Sequence, residues 1–277
     1  MPMKKGTKII IALMITIGIL LLSYPHVSNF IAEYQQHKLI NNYLETLDSL
    51  NEERYVGLYK EALAYNEELY KLQQKNILNE KGLDNYKDTL KIDNTDIIGY
   101  VEIPSVNIKI PIYHGTDESV LQVGVGHYSY TSLPVGGKNT HAVLFGHSAL
   151  PHAKLFTDLE KLKVGNYFNI GVLNQKLYYR ITNIRIVEPD DLTNHISIVK
   201  DKDLVTLVTC TPYGVNSHRL VITGERIGII DDNENNQAAE DKKVQVIIIC
   251  IIASIVLVGT IVATVIIIRR KKRKKYA

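Results

Sequence analysis

Two apolar runs bracket the chain, and they constrain its fold more than any other feature. Residues 244–268 include no charged side chain, and seven basic residues follow at 269–275. An uncharged run longer than ~18 residues is typical of a transmembrane helix, and a basic cluster favours the cytoplasmic side. Residues 9–22 are also apolar and follow Lys4, Lys5 and Lys8, as in a signal segment or an uncleaved anchor. We expect an anchor, since no small-x-small cleavage site follows the run.

This layout predicts a cell-membrane protein with two spans, residues 1–24 and 244–268, and a basic cytoplasmic tail at 269–277. Both termini are then cytoplasmic, and the intervening residues lie outside the cell. The formal net charge of +3 is misleading here, because the two ends carry ten basic residues and no acidic ones. Without them, 22 basic residues stand against 29 acidic ones, a net of −7. This balance does not favour a nucleic-acid partner.

Four segments lie between the spans. Residues 25–74 space their apolar side chains as one long or two shorter amphipathic helices do. Residues 75–96 form a polar linker, with a short helix near residues 84–90. Residues 97–230 read as a mainly β domain, a closed barrel or a sandwich, and 231–243 form a polar tether. The predicted strands are 98–103, 106–113, 141–146, 167–172, 176–187, 203–210 and 219–227, with helical pieces near 119–124, 154–162 and 194–199.

Cys210 is the only cysteine between the two apolar runs, so it cannot form a disulfide within this external region. It ends a predicted strand, a Pro-Tyr-Gly turn follows, and Arg219 begins the next strand. If the two strands pair, the thiol and the guanidinium lie at the same end of a sheet. A nearby cation favours the nucleophilic thiolate. The alternative is a buried, inert thiol.

A reactive thiol also needs a proton carrier, and histidine is the usual one. Of the nine histidines, His147 stands just past the predicted strand 141–146 and would meet Cys210 if the two strands run parallel. His218, next to Arg219, is the second candidate, and either imidazole could be structural. A metal site of His127, His141 and His147 is a weaker alternative, because partners at the usual zinc spacings are absent.

The run Thr-Leu-Val-Thr-Cys-Thr-Pro-Tyr-Gly-Val-Asn-Ser-His-Arg at 206–219 resembles the active-site signature of sortases. Its Pro-Tyr-Gly-Val-Asn and His-Arg-Leu parts are similar to class C sortases, the pilin polymerases of Gram-positive bacteria. Further stretches in family order are 99–104, 131–137, 141–147, 153–158 and 188–191. The resemblance covers about residues 97–228, and loosely the layout with two anchors.

The resemblance implies an eight-stranded sortase β-barrel with N-terminal helices and a transmembrane helix at each end. It also implies that Cys210 is the nucleophile, His147 the general acid and base, and Arg219 the stabilising cation. Thr209 matches a position that supports the site. His218 belongs to the class C loop and is not the implied base. No cofactor or metal is implied.

The implied reaction is a transpeptidation on pilin or surface proteins that carry a C-terminal LPXTG-like sorting signal. Cys210 would attack the carbonyl between Thr and Gly, and a pilin lysine would resolve the thioacyl intermediate. One alternative keeps the enzyme but uses a cell-wall amine or water as the acceptor. Another is a non-enzymatic, membrane-held binding module, against which the presence of all three implied catalytic residues argues.

Two departures from the class C pattern stand out. Class C enzymes usually carry an Asp-Pro-Phe/Trp lid motif before the barrel, and residues 70–96 contain no such tripeptide. Asp84 and Tyr86 keep an acid and an aromatic side chain two residues apart, as candidates for a degenerate lid. Ser148 and Ala149 follow His147 where Arg-Gly is common, which we expect to alter the rim of the site and not its chemistry.

Overall fold

The structure, a computed structural model, describes residues 5–75, 83–93 and 95–228, with side chains from residue 13 onward. The predicted tether, second span and basic tail lie outside the described residues. Helix α1 (Lys5–Asp48) contains Pro25 and continues through the predicted boundary at residues 24 and 25. Its part Leu13–Asp48 is, within the described ranges, the one helix long and apolar enough to cross a membrane. None of its apolar window is buried in the protein, so that window is free to meet lipid.

The region predicted as one or two amphipathic helices forms the end of α1 and a second helix, α2 (Glu52–Gln74). The side chain of Asn51 caps α2 by accepting a hydrogen bond of 2.8 Å from the backbone N–H of Arg54. Both helices contribute buried side chains to the barrel's main hydrophobic cluster, among them Leu58 of α2. Tyr43 of α1 also contacts the barrel through a hydrogen bond, because its hydroxyl accepts from the N–H of Leu173 at 2.9 Å.

Eight strands then close into a barrel in the order β1-β2-β3-β4-β7-β8-β6-β5. Neighbours are antiparallel except β2 with β3 and β4 with β7, which are parallel. The strands are β1 (Ile97–Ile103), β2 (Ile108–His114), β3 (Val125–His127), β4 (Thr140–Phe145), β5 (Tyr167–Val172), β6 (Gln175–Val187), β7 (Asp203–Thr211) and β8 (His218–Arg226). The eight-stranded barrel implied by the resemblance is therefore confirmed.

The apolar pattern predicted seven of these strands with ends close to those observed, but missed β3. Three residues, two of them Gly126 and His127, are too few to display an alternation. The helical piece near 119–124 is the short helix α3 (Glu118–Leu121), and the one near 154–162 is the 3-10 helix Thr157–Lys161. Two helical predictions were wrong. The piece near 194–199 lies earlier, as the 3-10 helix Pro189–His195, and residues 84–90 form successive turns.

The barrel interior is filled by large side chains, as in other small barrels. Phe168 of β5 and Tyr179 of β6 are fully buried and stack with their ring centroids 5.6 Å apart. They fit because β8 has a glycine beside them: a Cβ on Gly224 would lie 2.7 Å from Phe168 Cε1. The packed interior makes the barrel a rigid frame, and its rim is where the predicted site residues lie.

Candidate active site

The β7–β8 hairpin places Cys210 opposite Arg219, as the sequence predicted. The two are register partners in the antiparallel pair. The loop between them is closed by hydrogen bonds of 3.0 Å from the N–H groups of Val215 and Asn216 to the carbonyl of Pro212. The same loop steadies the guanidinium, because Arg219 Nη1 donates to the carbonyl oxygens of Asn216 at 3.3 Å and His218 at 3.2 Å.

His147 reaches the same rim from the other side of β7. Strand β4 runs parallel to β7 with Phe145 paired to Val208, and the N–H of Gly146 donates to the carbonyl of Val208 at 3.1 Å. His147 therefore leaves the end of β4 beside the end of β7, where Cys210 lies. The parallel pairing on which the prediction for His147 depended is present.

Three hydrogen bonds tie the segment around His147 in place. Thr209 Oγ1 donates to the carbonyl of Gly146 at 2.7 Å, and Ser148 Oγ donates to the carbonyl of Cys210 at 2.8 Å. The N–H of Phe156 donates to the carbonyl of His147 at 3.1 Å. Thr209 and Ser148 thus connect the ends of β4 and β7 on either side of the histidine. This is a physical role for the position that the resemblance marked as supporting.

Gly146 is required at the turn into His147. A Cβ at this position would lie 2.6 Å from Cδ2 of Phe156, whose ring is fully buried. Contacts under 3.0 Å are essentially absent between real Cβ atoms and their neighbours. The glycine lets the backbone pass against the ring, and so lets His147 emerge at the rim.

The three predicted catalytic side chains are accessible to a substrate. Cys210 is a free thiol and half-buried, Arg219 is half-buried, and the His147 side chain is 26% exposed. Cys210 is therefore not fully buried, as the alternative of an inert core thiol would require. A thiol, an imidazole and a guanidinium on adjacent strands can supply a nucleophile, a proton carrier and an oxyanion donor.

Carboxylates that the sequence analysis did not single out surround this rim. Glu118 of α3 has both carboxylate oxygens 3.3 Å from His147 Nε2. Glu188 pairs with His218 Nε2 at 3.1 Å, so this second histidine candidate has its own acidic partner. Thr211 Oγ1 donates to Glu160 at 2.8 Å. Glu118 lies 29 positions from His147 in the chain, and only the fold brings the two together, so no local pattern could have identified it.

The other two histidines of the metal alternative lie apart from His147 in separate hydrogen-bond networks. His127 is fully buried between Tyr86 at Nδ1 (2.9 Å) and the Ser132 carbonyl at Nε2 (2.8 Å). His141 contacts the carbonyl of Ser197 and the hydroxyl of Thr206 at 2.8 and 2.7 Å. Burial lowers the pKa of His141, and it lowers that of His127 to about 3. Among the described residues, no group of three potential ligands is placed to hold a metal ion.

The candidate lid residues, Asp84 and Tyr86, lie in the series of turns before β1. Tyr86 is buried, and its hydroxyl lies 2.9 Å from His127 Nδ1 and accepts from the N–H of Gly115 at 2.9 Å. Its ring makes an edge contact with His114, with centroids 4.9 Å apart. These contacts attach the segment to the ends of β2 and β3. The lid role of Asp84 and Tyr86 stays a prediction.

A closed β-barrel with an accessible thiol, an imidazole and a guanidinium at one rim has the parts of a cysteine-dependent acyl-transfer enzyme. Residues 101–227 match the family model for the sortase domain. Sortase D of Bacillus subtilis (strain 168) is 31% identical over 144 residues, which are 51% of this chain and 69% of that protein. The chain therefore belongs to the sortase family, whose members are cysteine transpeptidases.

Solved structures narrow the likeness to class C sortases. Sortase C1 of GBS pilus island 1 is 39% identical with a TM-score of 0.65, over 70% of this chain and 100% of that one. Clostridium perfringens sortase C, solved with the C-terminal cell wall sorting motif, is 42% identical with a TM-score of 0.61, over 69% and 98% of the two chains. The class C resemblance first drawn from the sequence is confirmed.

Proposed function

We propose that this chain is a membrane-anchored class C sortase that cleaves an LPXTG-like sorting signal and joins the acyl fragment to a pilin lysine. The observation that carries the proposal is the pairing of Cys210 with Arg219 across β7 and β8, with His147 at the end of the neighbouring strand. Support for the substrate class comes from the similar sortase solved with a sorting motif. Support for a pilus role comes from the relative in a pilus island.

The rim residues can perform the reaction in two acyl transfers. His147 takes the thiol proton as Cys210 Sγ attacks the carbonyl carbon between Thr and Gly, and it gives this proton to the departing amine as the C–N bond breaks. The resulting thioester is attacked by the uncharged amine of a pilin lysine. His147 takes a proton from the attacking amine and passes it to Cys210 Sγ as the C–S bond breaks, which restores the thiol and the imidazole.

Arg219 stabilises the oxyanion that forms at each addition step. Its guanidinium offers several donors and keeps its charge at all relevant pH values. The hydrogen bonds from Arg219 to the carbonyls of Asn216 and His218 hold it ready at the rim. Removal of a single oxyanion donor typically costs about 3 kcal/mol of transition-state stabilisation, so Arg219→Ala should lower kcat by about 100-fold.

The proposal includes the layout in the membrane. Helix α1 anchors the N-terminus, and residues 244–268 form a second span that ends in the basic cytoplasmic residues 269–275. The barrel then faces the exterior, where a sorting signal and its acceptor meet the enzyme. Cysteine labelling with a membrane-impermeant reagent on intact cells tests this layout, because single cysteines placed at 2 and 276 should stay unlabelled.

The acceptor is tested by competition. The full-length chain in detergent micelles is given a labelled LPXTG peptide, a pilin peptide containing lysine and a cell-wall-type amine, and the products are separated by mass. We expect the lysine adduct to dominate, and no product from Cys210→Ala. Dominance of the wall-type adduct or of the hydrolysed peptide would refute the pilin assignment. Full activity of Cys210→Ala would refute catalysis by this thiol and favour the binding-module alternative.

A further inference from the structure

Glu118 lies at the rim of the site although it belongs to a different part of the barrel. It is the first residue of α3, the short helix that connects β2 to β3. Its two carboxylate oxygens each lie 3.3 Å from Nε2 of His147. The contact is bidentate and to one nitrogen only, so it defines which way the imidazole is turned.

A second side chain holds the carboxylate in this position. Gln122, one helical turn further along, donates a hydrogen bond from its amide to Oε1 of Glu118. Hydrogen bonds from Gln122 and from His147 lower the pKa of Glu118, which keeps it an anion at neutral pH. Gln122 thus contacts Glu118, and Glu118 in turn contacts His147, the proposed proton carrier.

We infer that Glu118 is a positioning residue for His147, which fixes the Nε2–H tautomer and leaves Nδ1 as the nitrogen that exchanges protons with the thiol and the amines. A carboxylate accepts hydrogen bonds only, so the Nε2 facing it carries the proton in both charge states of the ring. The inference rests on the proposed function, because it assigns a helper to the proposed proton carrier.

The contribution is to catalysis and not to folding. The Glu118 side chain is 68% exposed, and exposed ion pairs contribute little to stability. The range measured for exposed pairs corresponds to a change of about 1.4- to 5-fold in rate. A residue that acts through His147 should change kcat and leave KM for the sorting peptide nearly unchanged.

The test compares four variants of the full-length chain with the labelled LPXTG peptide and a lysine acceptor. Glu118→Gln keeps a hydrogen-bond acceptor without the charge, and should lower kcat by about 1.4- to 5-fold at constant KM. Glu118→Lys places a cation beside His147 and should lower kcat by more. Glu118→Asp keeps the anion on a shorter stem and should retain more activity than Glu118→Gln. Asp117→Asn is the matched control, because the Asp117 side chain makes no capping hydrogen bond to α3.

The outcomes separate this inference from the proposed function. If Cys210→Ala and His147→Ala abolish turnover while Glu118→Gln and Glu118→Lys match the parent, Glu118 has no positioning role and the proposed function stands. If Cys210→Ala stays active, the proposed function itself fails. Equal losses in Glu118→Gln and Asp117→Asn would also overturn the inference, because the effect would then come from removing an acidic charge anywhere on this helix.

Discussion

Replacing Tyr86 by phenylalanine should destabilise the protein through one buried hydroxyl. Tyr86 belongs to the turns that precede β1, and its side chain is only 5% exposed. The hydroxyl lies 2.9 Å from Nδ1 of His127 and also accepts a 2.9 Å hydrogen bond from the N–H of Gly115. It also lies 2.9 Å from the backbone carbonyl oxygen of His127, a further acceptor for its proton. The substitution removes one oxygen atom and leaves the buried ring in place, so it isolates the contacts of this hydroxyl.

The direction of each hydrogen bond follows from the surroundings of His127. Nε2 faces the carbonyl oxygen of Ser132 at 2.8 Å, and a carbonyl only accepts, so Nε2 carries the proton. Burial lowers the pKa of His127 to about 3, so the ring is neutral and Nδ1 is an acceptor. The one proton of the Tyr86 hydroxyl is therefore shared between Nδ1 and the backbone carbonyl oxygen of His127, both 2.9 Å away, while the hydroxyl oxygen accepts from Gly115.

The size of the expected decrease in the free energy of unfolding depends on the buried polar groups that Tyr86→Phe leaves without a partner. A buried acceptor without a partner costs about 1–3 kcal/mol, and an average hydrogen bond contributes about 1 kcal/mol. Without the hydroxyl, the acceptors of His127 and the N–H of Gly115 lose this partner, which gives a decrease in the free energy of unfolding of about 2–4 kcal/mol. The control is Tyr213→Phe, because Tyr213 is 62% exposed and its hydroxyl is solvated.

The assay is urea unfolding of the full-length chain in detergent micelles, followed by circular dichroism because the chain has no tryptophan. Amide hydrogen exchange should add a local signal, with loss of protection at Gly115 in Tyr86→Phe only. A change below about 0.5 kcal/mol, equal to that of Tyr213→Phe, would refute the reasoning. The segment at 83–93 would then not be held to the barrel by this hydroxyl.

Three further predictions concern the barrel and its rim. Gly146→Ala should cost about 1–3 kcal/mol and lower kcat, because its Cβ would overlap the buried ring of Phe156; urea unfolding and peptide turnover measure both. Thr209→Val removes the 2.7 Å hydrogen bond to the carbonyl of Gly146 and should lower kcat by more than Thr182→Val, whose threonine is exposed; equal effects would argue against a support role. The neutral, buried His127 should make the free energy of unfolding fall in acid, because its pKa is 6.5 in the unfolded chain and about 3 in the folded one. Its contribution is complete above pH ~6.5 and decreases by up to about 1.4 kcal/mol per pH unit below that. A pH titration of His127→Gln should show a shallower decline.

The sequence predicts much of this fold because most strands are long enough to display their pattern. The strand at Tyr167–Val172 was predicted with its observed ends, and the hairpin around Cys210 followed from the Pro-Tyr-Gly turn. The number of strands needed the family resemblance. The parallel pairing of β4 with β7 depends on contacts between distant segments. The sequence therefore predicted that His147 and Cys210 lie close together only if these two strands run parallel.

The parts that sequence reasoning missed depend on tertiary contacts alone. Glu118 sits in a helix of four residues, and nothing in its own neighbourhood marks it as a partner of His147. Tyr86 was singled out for its spacing from Asp84, whereas its observed contacts are set by the ends of β2 and β3. The spacing of two residues in the sequence indicates that they could act together, but the folded barrel determines which other residues they contact.

Covalent catalysis by Cys210 is tested most directly by intact-mass measurement of the full-length chain during turnover of an LPXTG peptide without an added amine. We expect an adduct with the mass of the peptide's acyl fragment, mapped to Cys210 and absent from Cys210→Ala. The adduct should form far more slowly in His147→Ala and Arg219→Ala. Peptide cleavage with no covalent species at Cys210, or equal adduct formation in His147→Ala, would contradict the account.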